Sequence, residues 1–384
     1  MSFILRQSGL RDIYEKVTAG QRISEAEALR LFESRDLNAL GVIADSACQR
    51  KVGKQASYIL NRYINYSNYC ILSCQFCAFA RKKRDADGFQ LGVEEIVQLA
   101  REALAVGITE LHVVGGLHPS LPFSYYTDLL RALRAVDARL QIKAFTAIEV
   151  LHLAWLARKS VPDTLAALRE AGLDALTGGG AEIFRKSVRS AIAKGKESAE
   201  EYLGVHRTWH QMGGRSTCTM LYGHIESLED RVDHLRQLRA LQDETHGFTG
   251  FVPLPYQPDN NEIKVKHPPT GFDALRTIAV SRAYLDNFDH ITAYWVGMGL
   301  KLAQVALSYG ADDLHGTVLE EKIFHMAGAG SPQHQTEAEL VRIIREAGRL
   351  PVQRNTFYEP VRVWDNPQTS LTDSGEPAAQ GNRH

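Results

Sequence analysis

Residues 70–77 read CILSCQFC, a stretch that places Cys70, Cys74 and Cys77 in a CxxxCxxC pattern. Three thiolates are one fewer than the four that close a structural metal site or an electron-transfer cluster. If the three cysteines hold a 4Fe-4S cluster, one iron stays open, and an open iron can bind and reduce a small molecule. The spacing therefore predicts a reactive 4Fe-4S centre with three cysteine ligands.

The remaining cysteines, Cys48 and Cys218, form no second CxxC pair. A zinc site or a set of buried thiols stays open as an alternative, but the ligand count disfavours zinc. Cys218 lies in an apolar stretch and is predicted to be a core thiol. Because three of the five cysteines are clustered, they do not resemble a disulfide framework, and a reducing compartment is expected.

The composition argues against several classes of protein. Lysine and arginine number 44 against 45 acidic residues, and no long basic block is present, so no nucleic-acid partner is expected. The N-terminus lacks the pattern of a signal peptide, and no apolar stretch approaches the roughly 18 residues that span a bilayer. The sequence predicts a cytoplasmic protein without membrane contact.

Helical and strand patterns alternate after the cysteines. Apolar residues between Ile96 and Leu104 keep helical spacing, Gly107 ends that run, and a buried strand follows. With the strand before the cysteines, eight strands are predicted, at 63–68, 111–114, 142–145, 173–176, 216–221, 250–254, 291–295 and 312–314. This pattern predicts an α/β fold in which a parallel sheet closes completely or nearly completely into a TIM-like (β/α) barrel. Its chemistry is expected at the carboxyl ends of the strands.

The chain is longer than one barrel requires, so terminal additions are expected. The predicted units are a helical N-terminal extension packed on the barrel (1–58), the catalytic barrel (59–330), a C-terminal helical extension (331–365) and a disordered tail (366–384). Capping boxes at Ser24 to Glu27 and Thr336 to Glu339 mark helices in the two extensions. The tail is rich in small and polar residues and has little to bury.

The cysteine stretch resembles the CxxxCxΦC signature of radical S-adenosylmethionine (SAM) enzymes, where Φ is aromatic. Phe76 takes the aromatic position. The resemblance implies that Phe76 lies beside the adenine and that the open iron chelates the amine and carboxylate of SAM. Gly115 and Gly116, which close the second strand, resemble the glycine motif that binds the methionine amine, although a tight turn would also explain them.

Two further residues are candidates for SAM binding. Glu182 follows three glycines at the end of the fourth strand, where it could reach ribose hydroxyls or a cationic group. Arg207, on the next helix, could pair with the methionine carboxylate through a bidentate fork. The alternatives are a solvated glutamate and a surface arginine.

Four polar residues at strand ends are candidates for substrate contact. His118 follows the glycine pair, Tyr222 and His224 follow the fifth strand, and Asp312 lies at the eighth. The two histidines and Tyr222 could donate hydrogen bonds, and Asp312 could orient polar substrate groups. Structural roles stay open, such as a satisfied buried histidine or, for Asp312, a helix cap.

Longer strings narrow the resemblance to the aminofutalosine synthases. They are VVGGLHP (113–119), KAFTAIE (143–149), GGGAEIF (178–184), TMLYGHIE (219–226), LQDET (241–245), ADDLHGT (311–317) and HMAG (325–328). GGGAE and YGH also occur in relatives, so they indicate only the branch of the superfamily. KAFTAIE, LQDET and HMAG favour this family, and the resemblance extends over residues 60–358.

The resemblance implies a radical SAM transferase of menaquinone biosynthesis. A 4Fe-4S cluster would reduce SAM, which serves as co-substrate, and release a 5'-deoxyadenosyl radical. The radical would add to the enolpyruvyl double bond of 3-[(1-carboxyvinyl)oxy]benzoate, and rearrangement and decarboxylation would give 6-amino-6-deoxyfutalosine. An external electron donor such as flavodoxin or ferredoxin would supply the electron.

Two other functions stay open as alternatives to this one. Cyclic dehypoxanthine futalosine synthase resembles the chain in fold and cluster, but its radical abstracts hydrogen and 5'-deoxyadenosine is released. A non-catalytic iron–sulfur protein would need no open iron and no glycine motifs at successive strand ends. The sequence does not reveal the oligomeric state or the residues that handle proton transfer.

Overall fold

The computed structural model describes Leu5 and residues 7–365, and its centre is a ring of parallel strands. In chain order the strands are Gln55–Ile59 (β1), Asn61–Asn65 (β2), Glu110–Val114 (β3), Gln141–Ala144 (β4), Ala175–Leu176 (β5), Arg215–Tyr222 (β6), Phe248–Pro255 (β7), Asp313–Gly316 (β8), Leu350–Arg354 (β9) and Pro360–Val363 (β10). Strands β2 to β7 pair in that order, and every pair is parallel. A second sheet has the order β10-β9-β1-β8.

Short contacts join the two sheets into a ring. Ile291 and Thr292, where a seventh strand is predicted, form only isolated bridges to β7 and β8. Strand β8 pairs parallel with β1, which leads directly into β2, and the Tyr63 N–H donates to the Val318 carbonyl at 2.9 Å. The predicted α/β barrel is therefore confirmed, with its seventh strand reduced to two bridges.

Helices cover the outside of this ring. They are Arg11–Thr18 (α1), Glu25–Glu33 (α2), Leu37–Val52 (α3), Val93–Ala105 (α4), Phe123–Val136 (α5), Ala147–Ala157 (α6), Val161–Ala171 (α7), Lys186–Ile192 (α8), Ala199–Gln211 (α9), Leu228–Thr245 (α10), Gly271–Tyr284 (α11), Trp295–Met298 (α12), Leu300–Ala306 (α13), Ile323–Met326 (α14) and Glu337–Glu346 (α15). The capping box of Ser24 and Glu27 is confirmed, whereas at α15 only the Thr336 hydroxyl accepts its bond. Within the described residues, no helix is long and apolar enough to cross a membrane.

The two ends of the chain differ in structure. Helix α1 packs on α3, and both α2 and α3 pack on α11 of the barrel. The prediction of a helical segment at 331–365 is wrong in part, because α15 is followed by β9 and β10. Strand β8 pairs with only one edge of β1. Strand β9 pairs in parallel with the other edge, so the backbone groups there are not left unpaired. The predicted tail lies outside the described residues, and the unit boundaries stay a prediction.

Candidate active site

A cavity of about 290 Å³ lies inside the barrel at the carboxyl ends of the strands. Side chains alternate along a strand, so every second residue faces the interior. Lys143 of β4, Thr217 and Thr219 of β6, and His315 of β8 reach the cavity in this way. This is the end at which (β/α) barrels carry their chemistry.

The three cysteines lie in the loop that follows β2, and all are free and partly buried. Phe76 and Ala78, which flank Cys77, line the cavity. The ammonium of Lys82 donates to the carbonyl oxygens of residues 70–72 at distances of 2.7 to 3.2 Å. Lys82 therefore fixes the shape of the cysteine loop, a role that the basic run at 81–84 did not reveal in the sequence.

The donor set of the loop is three thiols, the ligand type that iron–sulfur clusters take. Within the described residues, no three His, Cys, Asp or Glu side chains converge as the ligands of one metal ion do. Cysteines that bind separate irons of a cluster need not converge in this way. Burial raises the pKa of Cys74 to about 12 and also raises the pKa of Cys77, so iron would displace thiol protons on binding.

The two glycines at the end of β3 let the cysteine loop approach the barrel. A Cβ on Gly116 would lie 2.3 Å from the carbonyl oxygen of Tyr69, and one on Gly115 would lie 2.7 Å from the Tyr66 ring. The Gly115 N–H donates to Glu149 Oε1 at 3.1 Å, and the Tyr66 hydroxyl donates to the same oxygen at 2.7 Å. Gly115 lines the cavity, whereas Gly116 is not among the lining residues and packs against the cysteine loop.

Glu182 and Phe76, two of the candidate SAM contacts, also line the cavity. Glu182 has a positive φ of 46° and forms a buried ion pair with Lys196. The Lys196 ammonium also lies 5.5 Å from the centroid of the Phe76 ring. Burial opposes the charge of Lys196, but Glu182 and Glu197 outweigh it and raise the pKa of Lys196. A cation that the sequence did not indicate therefore lies among the candidate SAM contacts.

The structure does not bring Arg207 or His118 to the cavity. Arg207 lies on the outer face of α9 and donates to Glu244 at 2.8 Å. His118 Nδ1 accepts from the N–H groups of Ser120 and Leu121, which orders the turn before α5. Burial, with the nearby charge of Lys83, lowers the pKa of His118 to about 4, so the ring is neutral at pH 7.

The other three predicted substrate contacts also lie elsewhere. Tyr222 is buried against the Arg231 guanidinium, 5.0 Å from its ring centroid. His224 Nε2 donates to the Leu221 carbonyl at 3.0 Å, and its ring lines a separate cavity of about 260 Å³. Asp312 precedes β8 at the opposite end of the barrel, where it accepts from Arg282 and from the Ile291 N–H. His224 and Asp312 make their hydrogen bonds inside the fold, and Tyr222 is buried beside Arg231, so none of the three lines the main cavity.

The cavity is also lined by polar residues that the sequence reasoning missed, among them Lys143, His315 and Arg354. Arg354 Nε donates to Asp313 Oδ2 at 2.6 Å, and the Tyr63 hydroxyl lies 2.5 Å from His315 Nε2. In the sequence, Lys143 stands between the apolar residues Ile142 and Ala144. Because side chains alternate along a strand, this single charge could have indicated that Lys143 faces the barrel interior. Arg354 lies in β9, a strand that the sequence did not predict, so no pattern indicated that its side chain reaches the cavity.

Comparisons with known proteins agree with this architecture. The model of the radical SAM superfamily matches residues 64–238, and that of the CofH/MqnC C-terminal region matches residues 245–367. Methylornithine synthase has the same fold, with a TM-score of 0.71 and 18% identity over 89% of this chain and 97% of that one. The FeFe-hydrogenase maturase of Carboxydothermus hydrogenoformans is similar, with a TM-score of 0.72, 17% identity and coverage of 92% and 81%.

Sequence relatives are closer. Aminodeoxyfutalosine synthase of Thermus thermophilus is 46% identical, covering 94% of this chain and 98% of the relative, and that of Streptomyces coelicolor is 42% identical, covering 96% and 98%. Cyclic dehypoxanthine futalosine synthase of S. coelicolor is 38% identical, covering 96% and 92%.

The barrel, the three-cysteine loop and the glycine-bordered cavity together define a radical SAM enzyme, and the family model agrees. The radical SAM family implies a 4Fe-4S cluster and SAM. Within this superfamily, the chain belongs to the aminodeoxyfutalosine synthase family.

Proposed function

We propose that this chain joins the adenosyl group of SAM to 3-[(1-carboxyvinyl)oxy]benzoate and yields 6-amino-6-deoxyfutalosine for menaquinone biosynthesis. The observation that carries the proposal is the cavity in the barrel that the cysteine loop borders at Phe76 and Ala78. Its relatives of 46% and 42% identity, which bear the name of this activity, support it.

The cofactor end of the cavity is assigned to residues at the strand ends. Cys70, Cys74 and Cys77 would hold a 4Fe-4S cluster, which with bound SAM supplies a 5'-deoxyadenosyl radical. The Phe76 ring offers a face for the adenine, and Glu182 offers a carboxylate for the ribose hydroxyls. With SAM bound, Glu182 would accept from the sugar hydroxyls, and its ion-pair partner Lys196 would be available to an anionic group of SAM.

The closed interior suits a reaction that passes through radicals. Apolar and aromatic side chains, including Tyr294 and Phe324, line the wall next to β8. They limit the access of water to the centre of the barrel. Burial raises the pKa of Tyr294 well above that of free tyrosine, so its phenol stays protonated.

Cellular context forms part of the proposal. An external one-electron donor such as flavodoxin or ferredoxin would reduce the cluster, and the oxygen-sensitive centre suits the cytoplasm. The cysteine loop reaches the surface, where Ile71 is half exposed, and the donor would approach the cluster there.

Product analysis tests the proposed reaction. The enzyme is reconstituted anaerobically with iron and sulfide, reduced, and incubated with SAM and the benzoate, and the products are identified by mass spectrometry. A product that joins adenosine to the benzoate skeleton is expected. Release of 5'-deoxyadenosine and methionine alone would overturn the substrate assignment, and dehypoxanthine futalosine would then be tested.

A matched pair of cysteine variants controls this experiment. Cys74→Ala should lose cluster iron and all SAM cleavage. Cys218→Ala, whose thiol is buried in β6, should retain both. Equal loss in the two variants would argue against the assignment of the cluster to the loop.

A further inference from the structure

Lys143 is a buried cation on the inner wall of the barrel. It lies in β4, where it is in register with His112 of β3 and Ala175 of β5. Only 4% of the residue is exposed, yet it lines the main cavity. Burying an ammonium group costs free energy unless the charge is paired with an acceptor.

Among the described residues, the Lys143 ammonium has no hydrogen-bond or ion-pair partner. The nearby carboxylates are engaged elsewhere. Glu110 accepts from Asn61 at 3.1 Å and from Thr356 at 2.9 Å. Asp313 accepts from Arg354 at 2.6 Å and from Ser57 at 2.8 Å. The free donor of Lys143 therefore faces the cavity rather than a carboxylate of the protein.

The electrostatic surroundings of Lys143 would favour the binding of an anion. Burial lowers the pKa of Lys143, and the Arg354 charge acts in the same direction, against the attraction of Glu110. Burial alone would raise the pKa of Glu110, but Lys143 and its neighbours hold it at about 2. Burial keeps His112 and His315 neutral by lowering the pKa of each. An incoming carboxylate would supply the hydrogen-bond acceptor that Lys143 lacks.

Flat aromatic surfaces adjoin this cation. The Tyr63 and His112 rings stack with centroids 4.1 Å apart, and Tyr294 packs edge-on against His315 at 5.1 Å. Tyr63, His112 and Tyr294 all line the cavity. Stacked rings next to a single ammonium suit a planar aromatic acid.

We propose that Lys143 binds the ring carboxylate of the aromatic substrate and so fixes the far end of that molecule. Lys143 lies within β4, below Thr146 and the loops that border the cysteines. The ring carboxylate is the anionic group farther from the double bond that the radical attacks. Holding it in the barrel interior orients that double bond toward the cofactor end. The inference rests on the proposed function, because it assigns one contact within the same cavity.

Direct binding tests Lys143 without requiring turnover. Reconstituted enzyme with SAM is titrated anaerobically with 3-methoxybenzoate and with the uncharged 3-methoxybenzamide by calorimetry. Lys143→Met should weaken binding of the acid about 10- to 100-fold, as expected for a charge-assisted hydrogen bond, and leave amide binding within about twofold. Lys143→Arg should recover part of the loss, and Lys301→Met, on the exposed face of α13, should change neither affinity.

Kinetics separates this inference from the proposed reaction. Lys143→Met should raise KM for the benzoate about 10- to 100-fold. The analogue without the ring carboxylate, α-phenoxyacrylate, should keep a KM near the wild-type value in the same variant. Because the pKa of Lys143 is lowered, the wild-type KM for the benzoate should rise at a pH below the ordinary lysine range as the ammonium is lost.

Each outcome decides between the two ideas. If wild type makes no adenosyl product but binds 3-methoxybenzoate through Lys143, the proposed reaction fails and the carboxylate site stands. If Lys143→Met binds the acid as tightly as wild type, or weakens acid and amide equally, the assignment of Lys143 is overturned. Thermal unfolding confirms that the variant folds, since replacing a buried charge by an apolar side chain is often tolerated.

Discussion

Two glycines allow the segment that carries the cysteines to pack closely against the end of β3. Gly115 and Gly116 admit the backbone and rings of the segment that carries the cysteines, since a Cβ at either position would overlap Tyr66 or Tyr69. The glycines thus serve the protein's own loop as well as a ligand. The resemblance had assigned them to the methionine amine alone, and that assignment stays a prediction.

Gly116→Ala should disturb the cysteine loop. Its Cβ would lie 2.3 Å from the Tyr69 carbonyl oxygen and 3.1 Å from Cys70 Cβ, and such overpacking costs about 1–3 kcal/mol. Iron and sulfide content after reconstitution should fall, together with the melting temperature. Gly204→Ala in α9, where nothing lies within 4 Å of the new Cβ, is the control and should be neutral or slightly stabilising. Full cluster content in Gly116→Ala would contradict this role.

Elements beyond the barrel complete the site. Strand β9 pairs with β1 and brings Arg354 to the cavity, where its guanidinium donates to Asp313 of β8. The Arg354 side chain is 3% exposed and that of Asp313 is fully enclosed. Strand β9 therefore contributes a side chain to the candidate active site.

Arg354→Met should destabilise the sheet in which β9 and β8 flank β1. It would leave the Asp313 carboxylate buried without its charge partner, at a cost of about 3–5 kcal/mol. Chemical unfolding should show the loss, and the double variant Arg354→Met/Asp313→Asn should recover a large part of it. An additive double variant would indicate that the two side chains are not coupled.

Buried neutral histidines should make the whole molecule sensitive to acid. Burial lowers the pKa of His206 well below its usual value, that of His234 to about 3, and that of His315 to about 4. In the unfolded chain, histidine takes up a proton near pH 6.5. The stabilisation is therefore present above pH 6.5 and is lost as the pH falls from there toward 4 and below.

Melting temperatures between pH 7.5 and 5.5 check this expectation. Over that range, each of the three histidines should lower the free energy of unfolding of the protein by about 1 kcal/mol. His234→Phe, whose wild-type ring is fully buried and stacks on Phe184 at 4.0 Å, should flatten the pH dependence. Lys301→Met should leave the dependence unchanged. A melting temperature that is constant down to pH 5.5 would show that these histidines are protonated in the folded protein.

Much of the barrel could be predicted because its signals are local. The helix that ends near Gly107 and the strand at 111–114 follow from apolar spacing within one segment, and the structure has them as α4 and β3. The seventh strand was only partly correct, since Ile291 and Thr292 form single bridges. The helical prediction for 331–365 missed β9 and β10, because their pairing depends on the free edge of β1.

The sequence by itself determined the cysteine loop, the repeating strand and helix order and the family of the chain, because these depend on spacing along one segment. Only the tertiary structure decided which side chains share the cavity. It placed Arg207 outside the barrel, held His118 and Asp312 in structural hydrogen bonds, and brought Lys143 and Arg354 inside. Which side chains meet in the interior depends on strand register and on the partner strand, and for a residue such as Arg354 neither can be read from the local sequence.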